Sequence, residues 1–397
     1  MKALAARRAV RAVAVAVTSR NLYGGLVAGY LLLAGNGAMA GVLPEDRADA
    51  LYHYYDGGGV QIDGPSLLMR KSVGQSFSFF GNYYEDSISS ASIDVVTTAS
   101  PYDEKRTEYS LGFDYLRGDT TMSFAYGNSD EDDYQAETFN FSIAQDIFGG
   151  MTTVSLGYGN GSDTVMSNAD PDFEEDMDRQ AYRLGVSQVL TRNMLMSVNY
   201  EVVTDEGFLN NPYRSVRYLD PNNGSGYSDQ AERYPNTRTS NAVGVRGRYF
   251  LPYRAALSGG YRYFTDDWEI EAHTGNVGYI QPFGPWSFEI GYRYYTQDAA
   301  EFYSDLFPYE NAQNFLARDK ELSTFDTHTL QLGVTFDFIE GGWSFLEKGT
   351  LNAYYDHVWF NYDDFRDLRS NTGVAPGDEP LYEFEADIWQ LFISFWF

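Results

Sequence analysis

Four histidines and no cysteine limit the chemistry open to this 397-residue chain. A general base needs an imidazole beside a nucleophile or a carboxylate. His53 follows Leu51 in an alternating frame; His273 shares its parity with Val277, His328 with Leu330 and His357 with Leu351. That register expects all four on an apolar or rim face unless a bulge reverses one. No catalytic residue is assigned, and the chain is not expected to be an enzyme. Neither H-x-H nor HExxH spacing occurs, so no histidine metal centre is expected. Without cysteine there is no disulfide framework and no thiolate site. No cofactor is expected.

The charged residues are more informative. Arg183, Arg246, Arg248, Arg262 and Arg293 stand on the polar parity of alternating segments, as do Glu201 and Glu289. Glu108, Asp114 and Asp337 occupy the same parity in other segments. Charges turned into a closed interior must be paired to be tolerated. These ten residues are therefore expected to face one lumen. They would either fill it with ion pairs or line a pore between basic and acidic walls.

The elements that hold these residues read as β-strands. Tyr109, Leu111, Phe113 and Tyr115 alternate with Glu108, Ser110, Gly112 and Asp114, and a turn follows at Gly118-Asp119. The same period of two repeats to the end of the chain, with short turns alternating with longer connections. The reading is an all-β, antiparallel transmembrane β-barrel of 16 strands, or 14 if the turn at Gly57–Gly59 is not part of the wall. An even count places both termini in the periplasm. The longer connections are expected at 87–106, 129–133, 161–177, 207–236, 265–275, 299–323 and 361–380. The third holds Asp163, Asp170, Asp172, Glu174, Glu175 and Asp176 and reads as a solvated acidic loop near lipopolysaccharide-bound cations; calcium or magnesium ligation is the alternative.

Both ends of the chain fit a barrel. Residues 1–20 carry Lys2, Arg7, Arg8, Arg11 and Arg20 and no acid. An apolar run from Leu22 to Leu33 and an A-x-A site at Ala38-Met39-Ala40 follow. Residues 1–40 are thus expected to be a signal peptide rather than a membrane anchor, leaving 41–397 as the barrel. Removing five basic residues and no acid leaves 23 basic against 56 acidic residues, a formal charge of −33. That excludes nucleic acid as a natural partner. At the other end Trp389, Leu391, Ile393, Phe395 and Phe397 share one strand face. This resembles the insertion signal of Gram-negative outer-membrane barrels, which is read by the barrel assembly machinery. Tyr 33, Phe 27 and Trp 6 suffice for two interfacial girdles facing outer-membrane lipid and lipopolysaccharide.

Several strings are specific. Leu43-Pro44-Glu45-Asp46-Arg47-Ala48-Asp49, Tyr54-Tyr55-Asp56-Gly57-Gly58-Gly59, the run Ser92 to Tyr102, Asn211-Pro212-Tyr213-Arg214 and the run Phe315 to Phe325 are similar to an uncharacterised family of proteobacterial barrels, catalogued as domain of unknown function 3570. The resemblance covers nearly the whole chain after residue 40 and implies no activity. It does imply genomic association with small lipoproteins, thioredoxin-like proteins and flavin transferases. Two functions therefore stand as expectations. One is a passive channel or export port for a small polar or charged solute. The other is a non-conducting platform that binds a periplasmic lipoprotein or redox protein.

Overall fold

The computed structural model describes residues 41–90, 102–339, 341–370 and 373–397. The expected signal peptide and part of the 87–106 connection lie outside the described residues. Sixteen strands form a closed antiparallel barrel: β1 (Arg47–Gly57), β2 (Val60–Val73), β3 (Phe77–Ser90), β4 (Tyr102–Arg117), β5 (Thr120–Glu131), β6 (Tyr134–Ile147), β7 (Thr152–Met166), β8 (Glu174–Thr191), β9 (Met194–Gly207), β12 (Thr237–Phe250), β13 (Ala256–Asp266), β14 (Glu271–Phe283), β15 (Trp286–Gln297), β16 (Phe325–Ile339), β17 (Lys348–Arg366) and β18 (Leu381–Trp396). A separate hairpin, β10 (Ser215–Leu219) and β11 (Tyr227–Ala231), lies in the connection between β9 and β12.

Closure rests on β1 and β18, which pair from Arg47↔Trp396 to Gly57↔Ala386. This ladder satisfies the backbone groups that an open edge would leave bare in hydrocarbon. It turns Trp389 and Leu391 outward, where they stay exposed. The Phe397 amide donates to Asp46 O at 3.3 Å, and Lys71 Nζ stands 4.8 Å from the centre of its ring.

The outside carries the apolar parity. Leu67, Met69, Leu111, Phe139, Leu156, Leu184, Val243, Val277, Ile290 and Leu351 are exposed on it. Aromatic rings bound this band at both ends. Near the short turns stand Phe77, Phe79, Phe124, Tyr249, Phe283 and Trp286. Near the long connections stands a ring of tyrosines whose hydroxyls reach polar groups one step further out. Tyr83 donates to Glu85 (2.5 Å), Tyr355 to Asp387 (2.6 Å), Tyr182 to Gln180 (2.8 Å) and Tyr200 to Asn241 (2.8 Å), while Tyr52 binds Asp63. An amphipathic ring with its hydroxyl turned toward water marks an apolar–water boundary. On β15 the band runs from Trp286 to Tyr294. At ~3.4 Å per residue and a tilt of ~40° that is roughly 20 Å of height, close to the apolar band of a membrane barrel.

His273 and His328 lie within the tyrosine ring, 2.6 Å from the Tyr261 hydroxyl and 2.5 Å from that of Tyr292. His357 is on the same outer face, beside Asp387 and Trp359. His53 is different, and the expectation for it is corrected. It is buried on the inner face, stacked on Tyr84, with Nε2 2.6 Å from Asp86 Oδ1. Leu51 misled the parity because β1 is apolar inside as well as outside. Near the long connections the inner face is itself a packed core: Tyr55, Val60, Ile62, Ile88, Val358, Phe360, Tyr362, Phe365, Tyr382 and Ile388 bury one another.

The expected acidic loop is also corrected. β7 continues to Met166 and β8 begins at Glu174, so Asp163 pairs across the ladder with Met177 and Asp176 with Thr164. Only 167–173 connect them. Strands that project beyond the apolar band carry acids freely, so acidity there marked exposed strand rather than loop.

His53 and Asp86 meet across β2 because Gly64 lies between them. A Cβ on Gly64 would stand 1.7 Å from Glu85 O. Gly64→Ala must therefore push β2 and β3 apart, at a cost of about 3 kcal/mol. Urea unfolding of the refolded barrel in detergent is expected to show that loss, with wild-type values for Gly275→Ala, where a Cβ would meet no atom within 4 Å.

Candidate functional site: the inner face and its loop cap

Two regions of the inner side carry organised charge. On the first, arginines and carboxylates of neighbouring strands pair across the wall. Arg179 Nε is 2.6 Å from Asp205, Arg183 Nε is 2.7 Å from Glu201, and Arg238 Nη2 is 2.5 Å from Asp266. Arg70 pairs with Asp114, which also accepts from Ser123 Oγ at 2.5 Å. Arg106 pairs with Asp86, and the buried Glu108 lies in its electrostatic reach. Directly opposed residues on adjacent strands are close enough to make such ladders.

The ten residues selected from the sequence divide among distinct settings. Asp114 and Glu108 are buried, and Arg183 and Glu201 form one ion pair. Asp337 lies 3.5 Å from Lys348 Nζ, near the short turns. Glu289 stands across from Gly333 on β16. Arg246, Arg248 and Arg262 are exposed on the parity opposite to Val243, Val245 and Tyr261, and Arg293 is half-buried. Periodicity missed Arg70, Asp86, Arg106, Arg179, Asp205, Arg238 and Asp266. Their parity was available; what hid them was their position near strand ends, where the apolar alternation fades.

Glu104, Glu131 and Asp133 bring one carboxylate oxygen each to within 4.8 Å of one another at the same end of the barrel. Hard oxygen donors at that spacing could hold a divalent cation.

The second region is the cap. Residues 208–236 and 298–324 fold together, joined by Arg233↔Leu316 and Tyr218↔Phe307 bridges. Trp268, Ile270, Ala300, Phe302, Ala317 and Leu322 form one apolar cluster, and Val216, Phe307 and Leu316 another. Arg217, 1% exposed, lies at the centre. Its Nε donates to Asp305 O at 2.9 Å, its Nη1 to Glu379 Oε1 at 2.5 Å, and it also pairs with the Asp305 carboxylate. Arg318 Nη2 reaches the same Asp305 at 2.9 Å. Arg214 pairs with Asp319 and, at 3.2 Å, with Glu321. The rim holds the cap at several places. Gln297 Nε2 on β15 donates to Glu321 O and Ser323 O at 2.9 and 2.8 Å. The Tyr213 hydroxyl donates to Asp133 at 2.6 Å.

Burial alone would raise the Glu379 carboxyl, but hydrogen bonds from Arg217 and from the Gly377 amide outweigh it and hold the group below its usual value. Burial, and then the bond to Asp133, pushes the Tyr213 phenol up to about 12.

A carboxyl lowered in the folded state adds stability above its unfolded value, near 4.5, and loses it as pH falls through the lowered folded value. The cap is therefore expected to loosen below about pH 4 while the barrel persists. Amide exchange in 215–219 and 303–307 should then rise ahead of exchange in β5–β8. At pH 7, Arg217→Met should do the same, since two carboxylates lose a buried partner at a cost of about 3–5 kcal/mol.

No functionally curated protein matches the chain. Among solved structures it is similar to a bacterial polysaccharide outer-membrane secretin, at 8% identity and TM-score 0.46, covering 89% of this chain and 100% of that one. It is also similar to a Pseudomonas aeruginosa FadL homologue, at 8% identity and TM-score 0.46, covering 91% and 93%. OmpT, an outer membrane protein of Vibrio cholerae, aligns at 10% identity and TM-score 0.40, covering 89% and 97%. Likeness at this level carries no argument about solute or activity. The family model described as "Protein of unknown function (DUF3570)" matches residues 92–182 and 167–361, which together are more than half of the sequence, and the chain belongs to that family.

Proposed function

We propose that this barrel resides in the outer membrane with both termini in the periplasm and gives passive passage to a small charged solute. One observation carries the reading: Arg246, Arg248 and Arg262 are exposed on the parity opposite to the apolar outside. A filled interior would have buried Arg248 and Arg262 against carboxylates, as it has Arg70 and Arg106. Arginines left accessible on an inner wall imply water beside them, and a positive wall favours anions locally even in a chain of net negative charge. Many of the acids stand on the outer parity or in the connections, and physiological salt screens exposed charges over a Debye length of ~8 Å. The cap is tied to the rim through Gln297 and Asp133, so its loosening is expected to widen the path.

The cap also favours a second reading. A mouth packed with apolar clusters and a buried arginine suits a non-conducting barrel whose connections bind an envelope lipoprotein or redox partner. Sixteen strands permit a water-filled lumen without requiring one.

Reconstitution in planar bilayers separates the two readings. Passage predicts discrete conductance that is larger in Arg217→Met. The Arg246→Gln/Arg262→Gln variant should shift the reversal potential toward cations at unchanged folded yield. Absence of current in both wild type and Arg217→Met would eliminate passage.

A further inference from the structure

The arginines of β12, β13 and β15 stand around a floor with almost no side chains. Arg246 is opposite Gly260, Gly260 opposite Asn276, and Asn276 opposite Arg293. In the next row Gly244 is opposite Arg262 and Arg262 opposite Thr274. A Cβ on Gly260 would meet Asn276 Oδ1 at 2.5 Å and Arg246 Cγ at 3.3 Å, so both side chains lie across that glycine. Gly278 and Gly291 continue the floor toward the short turns.

Arg262 and Arg293 differ from the inner arginines beside them. Arg179, Arg183 and Arg238 each have a carboxylate within 2.7 Å. Among the described residues, neither Arg262 nor Arg293 has an ion-pair partner. Their guanidinium carbons lie 5.4 Å from the Phe264 ring centre and 5.6 Å from that of Tyr295. Each lies in the repulsive field of the other, and Asp356 attracts Arg293 only from beyond contact. Asp356 is itself bound by Gln331 Nε2 at 3.2 Å. Two guanidinium groups held near each other without a counter-charge are satisfied by an oxyanion, because their planar forks match phosphate and carboxylate oxygens in pairs.

We propose that Arg262 and Arg293, with the Asn276 amide and Arg246 beside them on the Gly260 floor, form a binding site for a small solute bearing a doubly charged oxyanion, either a phosphate or a pair of carboxylates. This rests on the reading of the inner face as solvent-filled. The site fixes the solute class that reading leaves open, and it makes binding measurable without conduction.

The test is calorimetric titration of the folded barrel in detergent micelles at constant ionic strength in chloride. Inorganic phosphate and succinate serve as probes and distinguish the two oxyanion sources. One saturable site for at least one of them is expected. Arg262→Gln and Arg293→Gln should each weaken it about tenfold or more, as loss of a charged hydrogen bond does. Lys105→Gln, on the outer face beside Glu85, should leave it unchanged. Should either arginine variant fail to fold, phenylglyoxal modification of the wild type, mapped by mass spectrometry, replaces it. The bound probe is then expected to protect Arg262 and Arg293 and not Arg254. No saturable binding of either probe overturns the site, as does undiminished binding in a folded double variant or equal modification with and without probe. Saturable binding in a barrel without conductance would end the passage reading and leave the site standing. Anion-selective current without saturable binding would do the reverse.

Discussion

Backbone amides in an apolar band have no water to pair with, and every other feature of this protein follows from that constraint. The ladder must close, and it does so through β1 and β18. Closure divides each strand into two faces that cannot be exchanged, since a shift of one residue would carry every side chain to the wrong side. Leu111, Leu156 and Ile290 then lie outside, and Asp114, Arg183 and Glu289 lie on the other parity. Charges on that side must find partners within the wall, which produces the pairs Arg179–Asp205, Arg183–Glu201 and Arg70–Asp114.

The interior is divided by height. Toward the long connections it is packed, first by the aromatic cluster around Phe360 and Tyr382 and then by the cap that holds Arg217. Lower on β12–β15 glycines replace bulk, and arginines lie across them. These are different uses of one inner face. Packing an apolar core inside a barrel rigidifies the end that carries the connections. A glycine floor leaves volume where charge can meet a solute. The most deeply buried arginine of the cap, Arg217, serves three segments at once, so its loss would free all three together.

The outer boundary is drawn by side-chain chemistry as well as by hydropathy. The tyrosine hydroxyls that bind Asp63, Glu85 and Asp387 each reach past the ring toward a charged group one step further out. His273 and His328 join this belt through Tyr261 and Tyr292, which uses two of the four imidazoles at the interface.

The sequence by itself determined the antiparallel barrel, with 16 strands preferred over 14, and the outward face of Trp389 and Leu391. Each of these depends on local alternation, and alternation is written in neighbouring residues. It misplaced His53 because β1 is apolar on both faces once its inner side joins a core, and a period of two cannot tell two apolar faces apart. It read Asp163 and Asp176 as loop because strands beyond the apolar band no longer alternate in hydropathy. The Arg217–Asp305–Glu379 centre was beyond its reach altogether: its members lie 88 and 162 residues apart, on three connections with no shared period. The same holds for Arg262 and Arg293. Their parity was legible, but that Arg183 meets a carboxylate while they are left beside glycine, asparagine and aromatic rings depends on register across several strands, which only the closed tertiary structure decides.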